Sequence, residues 1–281
     1  MRNGRRRWDP GGMLGFALPA LLLAWWYLGT RGGGTVLPPP GRVLEVLLHP
    51  GRDLISSGSI LWSVWVSISR IALGFVCAVA VGVPLGLAMG GSRLHRRLLS
   101  VTVEMARPLS AIALLPLSII IFRGDSMADL LGLSSLRYGR HILNELGLGM
   151  IFILFWGGVF PVILGTMQGV RSVRSLHLEV ARVLGASRLD RFLRVMVPSA
   201  LPDIFHGLRL GIGRCWMVII AAEMLPGTNS GIGYLLRYSY QLSRYDIMLA
   251  CIAVIAVIGA FFAKGLEALG ERSLLLRSRE R

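Results

Sequence analysis

Lysine is almost missing from this chain: Lys264 stands alone among 30 basic residues, and acidic side chains number only 15 in 281 residues. A phosphate-cradling Gly-x-x-x-x-Gly-Lys-Ser/Thr loop needs a lysine, and no such pattern precedes Lys264. The chain cannot supply an ATP site of that type. Cysteine is equally sparse. Cys77, Cys215 and Cys251 are odd in number, far apart and set in apolar runs, which argues against a disulfide framework or a zinc site and for small core residues. His49, His95, His141, His177 and His206 are scattered, and no Ser/His/Asp grouping, His-Glu-x-x-His or cysteine cluster appears. Nothing here reads as an enzyme, a cofactor site or a metal centre.

Apolar residues are what the chain has in abundance. They make up 54% of it, charged residues only 16%, and the mean hydropathy is +0.64. Soluble domains carry about a quarter charged residues, so this is an all-α polytopic membrane protein with one domain spanning 13–269. Apolar runs place six transmembrane helices at about 13–29, 60–90, 99–122, 146–169, 204–225 and 247–266. The formal charge of +15 is unevenly spread. Twenty Lys and Arg fall in 1–12, 91–107, 170–209 and 264–281, against eight in the alternate loops. The positive-inside rule therefore puts both tails, 1–12 and 270–281, in the cytoplasm. With no small-residue cleavage site near Gly29, the first run reads as an uncleaved span. Trp25, Trp26 and Tyr27 would form its outer aromatic belt.

The spans differ in their small residues and prolines. Gly74, Gly82, Gly86 and Gly90 let the second span pack closely at the bundle centre, with a bend near Pro84. Gly207, Gly211 and Gly213 do the same for the fifth. Pro108 and Pro116 bend the third, and Pro161 interrupts the fourth. An outer loop holds a short amphipathic piece at Val43 to Leu48. A second outer stretch, 123–145, carries a weak helical face of Met127, Leu130, Leu131 and Ser134, which predicts an interfacial helix.

Between the fourth and fifth runs lies a polar stretch, 171–203. Leu176, Val180, Val183 and Leu184 recur at helical spacing before Gly185, and Leu189, Phe192, Leu193, Met196 and Val197 do so after it. This predicts two short amphipathic helices meeting at a glycine turn. Arg171, Arg174, Arg182, Arg188, Arg191 and Arg194 keep the unit outside the hydrocarbon. A DNA-binding helix-turn-helix has similar small residues at its crossing. Tethering by apolar runs, with Pro198 and Pro202 following at once, keeps this one from a major groove, and no nucleic-acid partner is expected.

The spacing Glu179-x-Ala181-x-x-x-Gly185, nine residues, then Val195-Met196-Val197-Pro198 resembles the EAA loop of binding-protein-dependent ABC importer permeases. Arg107-Pro108-Leu109 through Leu115-Pro116-Leu117 is similar to elements of the aliphatic sulfonate, taurine and nitrate group, as are Ala221 to Leu225 and Ser230 to Tyr234. The resemblance covers about residues 55–270 apart from 123–145, where the family has a shorter loop. It implies a type I importer fold in the bacterial cytoplasmic membrane, paired with a second permease subunit as a homodimer or a pseudo-symmetric pair. It further implies two separate ABC ATPase subunits that bind the ATP, and a periplasmic solute-binding protein. Glu179, Ala181, Gly185 and Pro198 would then couple the permease to the ATPases, and the cargo would be a small anion.

Charged groups inside spans are functional candidates because each costs roughly 2.5–3.5 kcal/mol at a helix centre on insertion scales. Arg70, Arg214 and Glu223 inside the spans, with Arg107 nearer the inner face, are the candidates for a translocation path or gate. Two readings of them stay open: the arginines attract an anion and Glu223 gates the path, or they pair with carboxylates on neighbouring helices, Arg70 and Arg214 with Glu104 or Glu223. An ion- or proton-coupled secondary carrier using Glu223 and these arginines is the alternative function.

Overall fold

The computed structural model describes residues 10–31, 36–53, 55, 58–132 and 141–278. Helix α1, Pro10–Thr30, has 21 residues and no charge. The expected cytoplasmic tail 1–12 is therefore helical from Pro10, and residues 1–9 lie outside the described residues. Helix α2, Pro40–Leu48, is the short amphipathic piece, begun by a proline whose missing N–H is no loss at a first turn. It buries Val43 and Val46 against Ile60, Leu235, Ile247 and Cys251. The Trp26 indole donates to the Pro38 carbonyl at 3.2 Å, tying the end of α1 to α2.

Helix α3, Ile60–Gly91, starts where Ser59 accepts the Trp62 N–H at 3.2 Å and runs unbroken through Pro84. The third expected span is not one helix. It divides into α4, Arg93–Ala106, and α5, Leu115–Phe122, joined by turns over 107–114. Pro108 and Pro116 cannot donate to a helical ladder, so the chain closes tighter three-residue turns there instead.

The outer stretch holds only single turns, α6 at Met127–Leu130 and α7 at Ile142–Glu145. The longer interfacial helix expected from Met127 does not form, since Leu131 already leaves helical geometry. Ser134 and the rest of 133–140 lie outside the described residues. At its base the excursion is pinched: Met127 N–H donates to Leu146 O and Leu148 N–H to Asp125 O, both at 2.9 Å.

Helix α8, Leu148–Arg171, is the axis of the bundle and continues through Pro161 rather than breaking there. Packing on both flanks holds it straight enough to do so. Along α3, a Cβ on Gly74, Gly82, Gly86 or Gly90 would run into Leu154, Val162, Thr166 or Val170 respectively. The constant offset means that α3 and α8 run parallel, backbone close to backbone.

The polar stretch holds α9, Ser175–Val183, and α10, Arg188–Arg191. The second of these is no separate short helix. It widens into a π turn over Phe192–Met196 and passes directly into α11, Val197–Glu223, giving one rod from Arg188 to Glu223. Pro198 has no N–H to offer the Arg194 carbonyl, and the wide turn just before it, with Val197 N–H reaching Phe192 O, accommodates that gap. On the other flank of α8, Gly165 abuts Gly207 and Gly169 abuts Ala200 and Asp203, so α11 runs antiparallel to α8.

Helix α12, Ile232–Gln241, and helix α13, Tyr245–Ser278, complete the chain. The expected tail from 270 is thus a continuation of α13 as far as Ser278. Among the described residues, four helices are long and apolar enough to cross a membrane: Ile60–Gly91, Leu148–Arg171, Arg188–Glu223 and Tyr245–Gly265. Cys215 and Cys251 are core residues as expected, whereas Cys77 is exposed on the outer flank of α3.

Candidate functional site

The elbow at Gly185 is built from backbone bonds that explain its residue types. Helix α9 ends with Gly185 N–H donating to Arg182 O at 3.0 Å and Ala186 N–H donating to Ala181 O at 2.9 Å. This paired closure requires a left-handed residue at the turn, and Gly185 has φ +81°. A side chain there would be strained by about 1–2 kcal/mol. Ser187 then caps α10, accepting the Asp190 N–H at 3.1 Å.

Glu179 and Gly185 are exposed, and Ala181 and Pro198 are half-buried. Beside them Val183 is 88% and Leu184 80% exposed, with Leu176, Val180, Leu189 and Leu193 also open. Arg174, Arg182, Arg188 and Arg194 frame this apolar knob and are exposed as well. Large apolar side chains on a ring of arginines can dock into a cleft on another protein.

Two candidate path residues are directed at each other. Arg70 on α3 donates to Glu223 on α11 at 2.8 Å, and both are buried. The Ser67 hydroxyl reaches both carboxylate oxygens of Glu223 at 2.8 Å, and the Gly233 N–H donates to Oε2 at 3.0 Å. Arg70 also donates to Ser230 O at 2.9 Å, Ser230 Oγ at 2.8 Å and Glu145 O at 2.8 Å. The Ser230 hydroxyl in turn bonds the Glu145 carboxylate. A Cβ at Gly231, φ +106°, would collide with the Glu223 carboxylate, so only glycine lets the loop fold over this group. The pairing reading holds for Arg70 and Glu223, which knit α3, α7, α11 and α12 together. Ser67 and Glu145 were not singled out from the sequence, and Ser230 stood there only as part of the Ser230 to Tyr234 element. Serines are ordinary in spans, and Glu145 lies at the end of a stretch without clear periodicity.

Arg107 and Arg214 have no such partner: among the described residues neither meets a carboxylate. Both line a cavity of about 370 Å³ together with Ser110, Trp156, Phe160 and Met217. The fold thus separates the four candidates into a neutralised pair and an uncompensated pair.

Comparison with known proteins agrees with this architecture. Residues 82–272 match the family described as binding-protein-dependent transport system inner membrane component. A putative ABC transporter permease of Methanocaldococcus jannaschii is 36% identical over 94% of this chain and 92% of its own length. The taurine transport system permease protein of Escherichia coli is 34% identical, covering 91% and 86%. The bicarbonate transport system permease protein of Synechococcus elongatus is 31% identical, covering 88% and 82%. Among solved structures, an inward-facing MetNI methionine ABC transporter matches with a TM-score of 0.61 at 16% identity, covering 76% of this chain and 95% of that one. A bacterial alginate importer matches with 0.53, also at 16%, covering 92% and 96%; both show the shared fold. An α-helical bundle with a glycine-hinged basic elbow, homologous along most of its length to importer permeases, belongs to the family of binding-protein-dependent ABC transport permeases of the inner membrane.

Proposed function

We propose that this permease forms, with a second permease subunit, the translocation path of an ATP-driven importer for a small anion of the sulfonate, taurine, nitrate or bicarbonate kind. A periplasmic binding protein delivers the cargo, and two ATPase subunits engage the elbows from the cytoplasm. The observation that carries this reading is the knob of Val183 and Leu184, 88% and 80% exposed on a glycine-locked turn. The continuous rod from Arg188 to Glu223 suits it to a lever, because a push at the elbow is delivered along α11 without an intervening loop. Relatives named for taurine, sulfonate and bicarbonate transport support the anionic cargo. A secondary carrier would need titratable groups free in the path, and Glu223 is occupied by Arg70.

The test is Gly185→Asp. Membrane insertion and yield should stay close to the parent chain, while ATPase co-purification and ATP-dependent uptake both fall by about tenfold or more, as a lost interface anchor of 1–2 kcal/mol or greater implies. Undiminished uptake by this variant would defeat the assignment of the elbow.

A further inference from the structure

We propose that Arg107 and Arg214 form a binding station for the anionic head of the cargo, a site that takes small sulfonates or carboxylates. The inference deepens the importer reading and rests on it for the direction of transport only.

Arg214 lies nine residues before Glu223, ~14 Å along α11, and sixteen after Pro198, ~24 Å. That places it well inside the hydrocarbon layer. Leu210, Gly213, Arg214 and Met217 recur on one face of α11 and are all exposed, and nothing approaches Gly213 within 4 Å. A face with an unpaired guanidinium at this depth cannot look into lipid, where the charge would be costly. It must face an aqueous path or another polar surface.

The opposite wall is supplied by the broken third span. Turns over 107–114 bring Arg107 and Ser110 to the cavity, and the Trp156 indole donates to Leu109 O at 3.3 Å, fixing those turns against α8. Among the described residues, no acidic one lines the cavity. Its volume of about 370 Å³ is that of a small-ligand pocket. The contrast with Arg70 decides the chemistry. Arg70 is satisfied by Glu223, Glu145 and Ser230, whereas Arg107 and Arg214 offer planar, permanently charged donor arrays with no anion supplied by the described residues. Guanidinium groups bind sulfonate and carboxylate oxygens through paired N–H donors. Trp156 and Phe160 provide the apolar wall for a short organic tail.

The experiment uses the purified full chain in lipid nanodiscs, with methanesulfonate and its uncharged isostere dimethyl sulfone as probes, read by saturation-transfer NMR competition. Methanesulfonate should bind and dimethyl sulfone should not. Arg214→Gln and Arg107→Gln should each weaken methanesulfonate binding by about tenfold, Arg214→Lys less, since a lysine keeps the charge but not the fork. Arg31→Gln, at the end of α1, should change nothing. Equal binding of both probes, no methanesulfonate binding by the parent chain, or full binding by both glutamine variants would overturn the station. Variants are compared only where the chain elutes as the parent does, and the two independent positions guard against one misfolding. Loss of ATPase co-purification with anion binding intact would instead remove the importer reading and leave the station standing.

Discussion

Arg70 and Glu223 are 153 residues apart in the chain and 2.8 Å apart in the fold. Their contact pins the start of α3 to the end of α11, at the same end of the bundle where α7 and the loop before α12 close over them. Every oxygen of the Glu223 carboxylate has a donor, from Arg70, Ser67 or Gly233. Removing one partner of a buried pair held this completely strands the other charge in the interior.

Glu223→Ala should therefore be severe. It leaves the Arg70 charge buried with only Glu145 nearby, at 3.8 Å, and costs about 3–5 kcal/mol. The melting temperature of the purified chain in detergent reads this loss, and the double variant Arg70→Leu with Glu223→Leu should melt above the single one. A single variant that melts like the parent would show the pair to be dispensable.

Two glycines should respond in opposite directions to the same added methyl. A Cβ at Gly86 would sit 2.6 Å from Thr166 Cβ and 2.7 Å from the Ile163 carbonyl, so Gly86→Ala forces α3 and α8 apart and lowers stability by about 1–3 kcal/mol. Gly41, in α2, meets nothing within 4 Å, and Gly41→Ala should gain up to about 1 kcal/mol from reduced chain entropy. Thermal melts of both variants check the signs.

The side on which the elbow lies can be read chemically. With Cys77, Cys215 and Cys251 replaced by alanine, a cysteine introduced as Val183→Cys sits on a residue 88% exposed. A membrane-impermeant maleimide should label it in inside-out vesicles and spare it in right-side-out ones. Labelling from the outer side would reverse the topology and remove the ATPase from reach of the elbow.

Where the sequence was ambiguous, backbone hydrogen bonding decided. Pro161 reads like Pro108 in a string of letters, yet α8 runs through the first while the chain breaks near the second. The difference is that α8 is packed against α3 and α11 on both flanks, whereas the 107–114 segment borders an open cavity. Likewise the residues after Gly185 have the spacing of a short helix, and nothing in that spacing tells that the helix does not stop at Pro198. Glu145 gave no signal at all, because its role depends on a loop folding back onto Arg70.

Sequence by itself determined the membrane class, the position of the glycine-hinged basic elbow and the helices Ile60–Gly91 and Leu148–Arg171, since each follows from local physics: apolar length against bilayer thickness, charge against hydrocarbon, and a turn that only glycine closes well. Only the tertiary structure decided which buried charges neutralise one another. Four charged candidates look alike along the chain, and the crossing of α3 with α11 pairs Arg70 with Glu223 while leaving Arg107 and Arg214 facing open space, because electrostatic partnership depends on distance in the fold and not on separation in sequence.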